Sequence, residues 1–227
     1  MVLLKALPTL SNIVAISGGR QISLALKADG TVVGWNLLNG ANPSSLSNIV
    51  AISAGDDCCY EAWEALSADG TVFVGDAFNN TWAPAPVNGV VAISASRGSD
   101  GHISWALKAD GMVVTIPWGF NFCGGLWLPS GLSNVVAVAS GDAHNLALIG
   151  DNPPLLQTTL LNPTWDTNGF RVSARTQNGR VYRLEYKSSL ADSDWIALPL
   201  VAGNGSLRSL SDPTATGSQR FYRVRRW

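Results

Sequence analysis

One phrase of about 40 residues is written four times in the first two thirds of this chain, and that repetition limits the fold more than any other feature does. The string VAIS begins at Val14, Val50 and Val91, and VAVAS at Val136. The intervals are 36, 41 and 45 residues (50 − 14, 91 − 50 and 136 − 91). A second phrase follows each copy: ISLALKADG, AWEALSADG, ISWALKADG and HNLALIGDN. A unit this short cannot bury both faces of a sheet by itself, so it has to stack on its neighbours.

Each unit predicts three short strands. NIVAIS is a nearly continuous apolar, β-branched run, SLALK alternates as a half-buried strand does, and TVVGW closes the unit. Between the second and third strands stand the pairs Asp29-Gly30, Asp69-Gly70 and Asp110-Gly111, which predict type I′ hairpins. Their carboxylates therefore belong to turn chemistry. Antiparallel strands repeating at this period fit a propeller blade better than any helical repeat.

The strings PSGLSNVVAVASGDAHNLAL (Pro129 to Leu148) and LKADGTVVGWN (Leu26 to Asn36) carry a family resemblance. So do GDAH at Gly141 to His144 and WGFNFCGG at Trp118 to Gly125. Over roughly residues 8–152 the chain resembles the repeat of the regulator of chromosome condensation family in its short bacterial form. The resemblance implies a β-propeller with three-stranded blades. Family rings normally close with more units than the four found here, and repeats one and two carry Gln21 and Glu61 where repeat three has His102. Pro153-Pro154 denies repeat four a third strand, because proline donates nothing to a ladder. Four units leave three arrangements: a small closed ring, an open arc, or part of a longer array. An open arc implies a homodimer through its exposed edges.

After Asp151-Asn-Pro-Pro the vocabulary and the charge both change. Residues 1–151 hold five Lys/Arg and eleven Asp/Glu, a balance of −6, whereas residues 152–227 hold ten and five, a balance of +5. This divides the chain into repeats over 1–152, a linker over 153–164 and a module over 165–227. In the module, Asn178-Gly179 predicts a hairpin, and Tyr182, Leu184 and Tyr186 share one face while Val181, Arg183 and Glu185 share the other. DWIALPLVAG, GSLRSLSD and RFYRVRRW add three strands, which together predict a small antiparallel sandwich. The pattern Y-x-L-E-Y, a later Trp and a final FYRV resembles compact β modules that end bacterial secreted or surface proteins. It implies an extracellular or cell-surface location. No run is apolar enough to span a membrane, and MVLLKALPTL lacks the hydrophobic stretch of a signal peptide.

Little of the sequence points to chemistry. His102 and His144 stand at equivalent repeat positions, which predicts a structural role at the start of a strand, hydrogen-bonding the turn. The acidic group Asp56, Asp57, Glu61 and Glu64 offers paired carboxylates of the glycosidase kind, but reads better as a solvated loop and a partly exposed strand face. Cys58, Cys59 and Cys123 have no metal-ligand spacing, and no nucleophile motif or phosphate loop occurs. In RFYRVRRW, Phe221 shares a face with Arg223 and Arg225 while Tyr222 and Val224 share the other, as in a final sandwich strand with a basic tail, so nucleic acid is not expected as a partner.

Trp35, Trp105 and Trp118 read as packing, while Trp82 and Trp127 fall in loops between repeats. Recognition is accordingly placed on Asp56, Asp57, Tyr60, Glu61, Trp82 and Trp127. The sequence thus predicts an all-β chain: a partial or small β-propeller of about four three-stranded blades plus a C-terminal β-sandwich. The expected role is a non-enzymatic, protein-binding scaffold without cofactor. Glycan binding or glycan activity through the Trp and acidic loops, and an enzyme-inhibitor propeller, are the alternatives.

Overall fold

The computed structural model describes residues 10–19, 22–35, 43–55, 62–76, 81–96, 104–116, 128–141, 144–150, 158–177, 180–215 and 219–227. The chain is all-β and divides into two compact units, Met1–Pro154 and Leu155–Trp227.

The first unit holds four antiparallel repeat sheets. Repeat one pairs β1 (Ile13–Gly18), β2 (Ser23–Lys27) and β3 (Val32–Trp35) in that order. Repeat two runs β4 (Ile49–Ala54), β5 (Ala62–Ser67), β6 (Val72–Asp76), and then adds β7 (Thr81–Pro84). Repeat three comprises β8 (Val90–Ser94), β9 (Ser104–Lys108) and β10 (Val113–Ile116). Repeat four, among the described residues, has β11 (Val135–Ser140) and β12 (Asn145–Ile149). Each first strand bulges at its first Val–Ala step, shifting register between Ile13/Ala15, Ile49/Ala51, Val90/Ala92 and Val135/Ala137. That bulge accounts for an apolar run with no strict alternation.

The Asp-Gly hairpins differ from the expected type I′ form. Lys27 N–H still pairs with Thr31 O (2.9 Å), and Gly30 N–H bonds back to Lys27 O (2.9 Å). The loop is therefore Ala28-Asp29-Gly30, and only the glycine has positive φ (81°). This is the three-residue hairpin closed by a left-handed glycine. Gly70 (90°) and Gly111 (82°) repeat it. The aspartates cap the turns: Asp29 Oδ1 accepts Thr31 N–H (2.9 Å), Asp69 Oδ1 accepts Thr71 N–H (2.9 Å), and Asp110 Oδ1 accepts Met112 N–H (3.0 Å).

Successive sheets are joined by three recurring contacts. In the first, Ser17 Oγ accepts Ala54 N–H (2.9 Å), Ser53 Oγ accepts Ala95 N–H (2.9 Å), and Ser94 Oγ accepts Ser140 N–H (2.8 Å). In the second, the turn glycine receives the next repeat: Ile49 N–H donates to Gly30 O (2.9 Å), Val90 N–H to Gly70 O (3.3 Å) and Val135 N–H to Gly111 O (3.0 Å). A Cβ on Gly30 would lie 3.2 Å from Asn48 Cα, so glycine is required by the close approach as well as by its φ. In the third, a Cβ on Gly19 would stand 2.5 Å from Gly55 O. Further along that column Ser96 Oγ donates to Gly141 O (3.2 Å). Across each junction the incoming first strand covers both leading strands of the preceding repeat: β4 lies on β1 and β2, β8 on β4 and β5, β11 on β8 and β9.

The second unit has two three-stranded antiparallel sheets. One orders β13 (Leu160–Asp166), β14 (Gly169–Arg175) and β17 (Leu207–Asp212); the other orders β16 (Ile196–Ala202), β15 (Val181–Lys187) and β18 (Phe221–Arg226). Val172, Ala174 and Leu210 from the first sheet meet Tyr182 and Leu184 from the second in one core, flanked by Tyr222 and Val224. Strand β13 begins within the stretch read as linker, runs through Pro163 and ends inside the module. It tolerates proline because it is an edge strand whose register shifts between Leu161 and Thr164, with Asn162 at φ 51°. Asn178-Gly179 lies outside the described residues; beside it, Arg180 N–H bonds to Gln177 O (3.4 Å).

Candidate functional site

Of the residues assigned to recognition, Asp56, Asp57, Tyr60, Glu61 and Trp127 lie outside the described residues, as do His102, Trp118 and the three cysteines. Trp82 is described, and it does not sit in a loop. It belongs to β7, where it pairs Gly75, which in turn pairs Trp63. The Trp63 indole lies across Gly75, so closely that a Cβ there would fall 1.7 Å from Nε1, and its ring meets Trp82 at 5.5 Å and 54°. The pair is the local solution to a volume problem. Repeat one places Ser23 opposite Trp35 and repeat three places Ser104 opposite Ile116, whereas repeat two puts the large residue on the second strand and glycine on the third. The same space is filled from the opposite side. Trp63 Nε1 and Trp82 Nε1 are buried with no hydrogen-bond partner among the described residues, which marks dry packing. Trp82 therefore packs against Trp63 from within a strand.

Glu64 overturns the expectation of a partly exposed face. It is 0 % exposed, on the side of β5 where repeat one has Leu24 and repeat three Trp105. Burial raises its pKa from 4.5 to about 8, opposed only in part by the Ser104 hydroxyl. Neither carboxyl oxygen has a geometrically sound hydrogen bond among the described residues. At neutral pH the group is a neutral acid inside an apolar junction. Glu61, grouped with it in the sequence, is outside the described residues. His144 precedes β12 and is exposed, and Gly141 N–H bonds to its backbone carbonyl (2.8 Å). Among the described residues no group of three or more His, Cys, Asp or Glu side chains is arranged to hold a metal.

In the first unit the feature with binding character is the outward face of repeat four. Leu146 and Leu148 on β12 are 61 % and 63 % exposed, while their equivalents Leu24 and Leu26 in repeat one are 1 % and 0 % exposed beneath β4. The phrase LAL occurs in repeats one and four alike, so the sequence alone does not distinguish Leu146 and Leu148 from the buried Leu24 and Leu26. Among the described residues, no further repeat strand lies on β12 as β4 lies on β2. Covering a leucine fully contributes about 1.5–3 kcal/mol, so this pair is a substantial unsatisfied apolar surface.

The second unit concentrates its charge in internal pairs. Asp212 is fully buried and accepts from Thr214 N–H (3.0 Å), Thr214 Oγ1 (2.7 Å), Tyr222 Oη (3.0 Å) and the Arg220 guanidinium. Burial alone would raise its pKa, but these hydrogen bonds outweigh it and hold the carboxyl below its ordinary value. Burial and then the hydrogen bond to Asp212 push the Tyr222 hydroxyl up to about 12, against a smaller lowering by Arg220. On the other face of β15, Glu185 receives Arg223 (2.6 Å) and lies 3.9 Å from Arg225. Arg223 stacks over Trp195 (4.3 Å) and Arg225 over Trp227 (4.8 Å). This explains how Arg183 and Glu185 come to be buried on the face opposite the core. A concavity of about 400 Å³, lined among the described residues by Thr158, Thr159, Leu161 and Arg175, brings together one cation and two hydroxyls.

No helix among the described residues is long and apolar enough to cross a membrane. Compared with known proteins, the chain matches no family model and no curated protein.

Proposed function

We propose that this chain is a non-enzymatic, protein-binding scaffold. In this reading the four repeat sheets are the blades of a partial β-propeller of the chromosome-condensation-regulator type, and the two C-terminal sheets form a β-sandwich. A bacterial secreted or surface setting follows from the resemblance of the C-terminal module alone. The observation that carries the binding role is the exposed Leu146–Leu148 face, which repeats what every earlier repeat buries under a further strand. Recognition thus moves from the loops to a sheet face. The buried Glu64 and the packed Trp82 support this assignment over a glycan-active one.

The test is retention of protein by the immobilised full chain, compared with a Leu146→Glu/Leu148→Glu variant. Protein held by the wild type and lost from the variant is expected. Equal retention by both would remove the assignment. Retention of glycans instead, abolished by Trp82→Ala, would replace it with the carbohydrate reading.

A further inference from the structure

We infer that the surface fitting the Leu146–Leu148 face is strand β1 of a second copy of this chain, docked head to tail. The inference rests on the protein-binding reading above and names its occupant. Three observations point to β1. First, at each internal junction the strand that covers the preceding repeat is the first strand of the next one, β4, β8 or β11. Second, β1 is the remaining member of that series, and nothing precedes it among the described residues of the repeats. Its Ile16 is 78 % exposed, while the equivalent Ile52, Ile93 and Val138 are half-buried against the repeat before them. Third, the two surfaces face opposite ways along the array. In β1, Ser17 points forward to Ala54, and Ile16, the neighbouring residue, points backward. In β12, Leu146 and Leu148 point forward. One chain therefore carries both halves of the junction that it already makes three times internally.

The junction between copies is weaker than the internal ones. Ala139 stands where Ser17, Ser53 and Ser94 supply the linking hydroxyl, so the contact rests on apolar burial and depends on concentration. Because each half differs from the other, the contact is heterologous, and each chain can offer either half to a neighbour.

Light scattering on the full chain, raised to about 1 mM so that weak association registers, tests this directly. The expected wild-type mass climbs above the 23.9 kDa of one chain. Ile16→Glu alone and Leu146→Glu/Leu148→Glu alone each weaken association at least about thirtyfold, the scale of losing a central apolar anchor. An equimolar mixture of the two variants then recovers about twice 23.9 kDa, since an intact β12 face meets an intact β1. Circular dichroism matching the wild type shows that the variants are folded, and Ile16→Gln and Leu148→Gln provide milder versions. A wild type that stays at one-chain mass throughout overturns the inference, as does a mixture that fails to recover association. If the wild type is a single chain yet holds another protein that the β12 variant loses, the second copy is wrong and the protein-binding role stands. If no protein is held at all, both fail.

Discussion

The forward-facing position near the start of each second strand takes leucine, glutamate, tryptophan and leucine in the four repeats: Leu24, Glu64, Trp105 and Leu146. Glutamate there has a thermodynamic cost that depends on pH. Its native pKa is raised from 4.5 to about 8, so between those values the unfolded chain has released a proton that the native chain still holds. Stability therefore falls as pH rises through that window and levels off above it. Glu64→Leu is expected to raise the urea midpoint, with a gain on the order of a few kcal/mol near pH 8 that shrinks towards pH 4.5. A gain that does not change with pH would contradict the buried neutral acid. Asp212 has the opposite sign: its native pKa is lowered, so its contribution is present above the ordinary value of 3.8 and is lost as pH falls below it. Asp212→Ala leaves Arg220 and Tyr222 without their acceptor and should cost about 3–5 kcal/mol at pH 7 in urea unfolding. Gly75→Ala would force the Trp63 indole off its glycine, and loss of the near-ultraviolet dichroism of the Trp63–Trp82 pair would report it.

At the scale of strands and turns, SLALK and the β-branched NIVAIS mark where the repeat strands lie, but the alternation of SLALK does not make a half-buried strand: Leu24, Ala25 and Leu26 are all buried, so both faces of β2 are covered. The turn was legible in position but not in type. Asp-Gly suits both a two-residue and a three-residue loop, and the Lys27–Thr31 pairing together with the arrival of Asn48 selects the longer one. Strand β7 was not legible, since TWAP is short and ends at a proline; its place depends on Gly75 opposite Trp82. Glu64 was misjudged because a charged letter was taken for an exposed one. The serine contacts were invisible for a different reason: a recurring serine in an apolar strand shows its partner only when the sheets are stacked. Ser53→Ala should cost about 1 kcal/mol, the worth of one hydrogen bond that leaves Ala95 N–H unsatisfied. Gly70→Ala should cost on the order of 1–3 kcal/mol, because φ is 90° and Gly89 Cα would lie 3.2 Å from the new methyl. Both are measured by chemical unfolding, and a Gly70→Ala chain as stable as the wild type would show that the turn contact is dispensable.

At the scale of the whole molecule, each compact unit is built on its own logic. The second, Leu155–Trp227, has a core drawn from both of its sheets and a charged network closed on itself around Asp212 and Glu185. A fragment spanning 155–227 is expected to fold alone, with dispersed amide resonances and a cooperative thermal transition; a collapsed, featureless spectrum would count against that independence. The first unit is stabilised differently, one junction at a time. The serine bonds span 37, 42 and 46 residues, yet their lengths stay between 2.8 and 2.9 Å. The segments between first and second strands and those leading to the next sheet share the variation in spacing, and the stacking contacts do not register it. Those contacts do not by themselves fix the number of repeats. Duplicating one complete copy of the phrase in the gene would lengthen the array by one step with no compensating change elsewhere, so evolution could tune its reach by counting copies while leaving their chemistry alone.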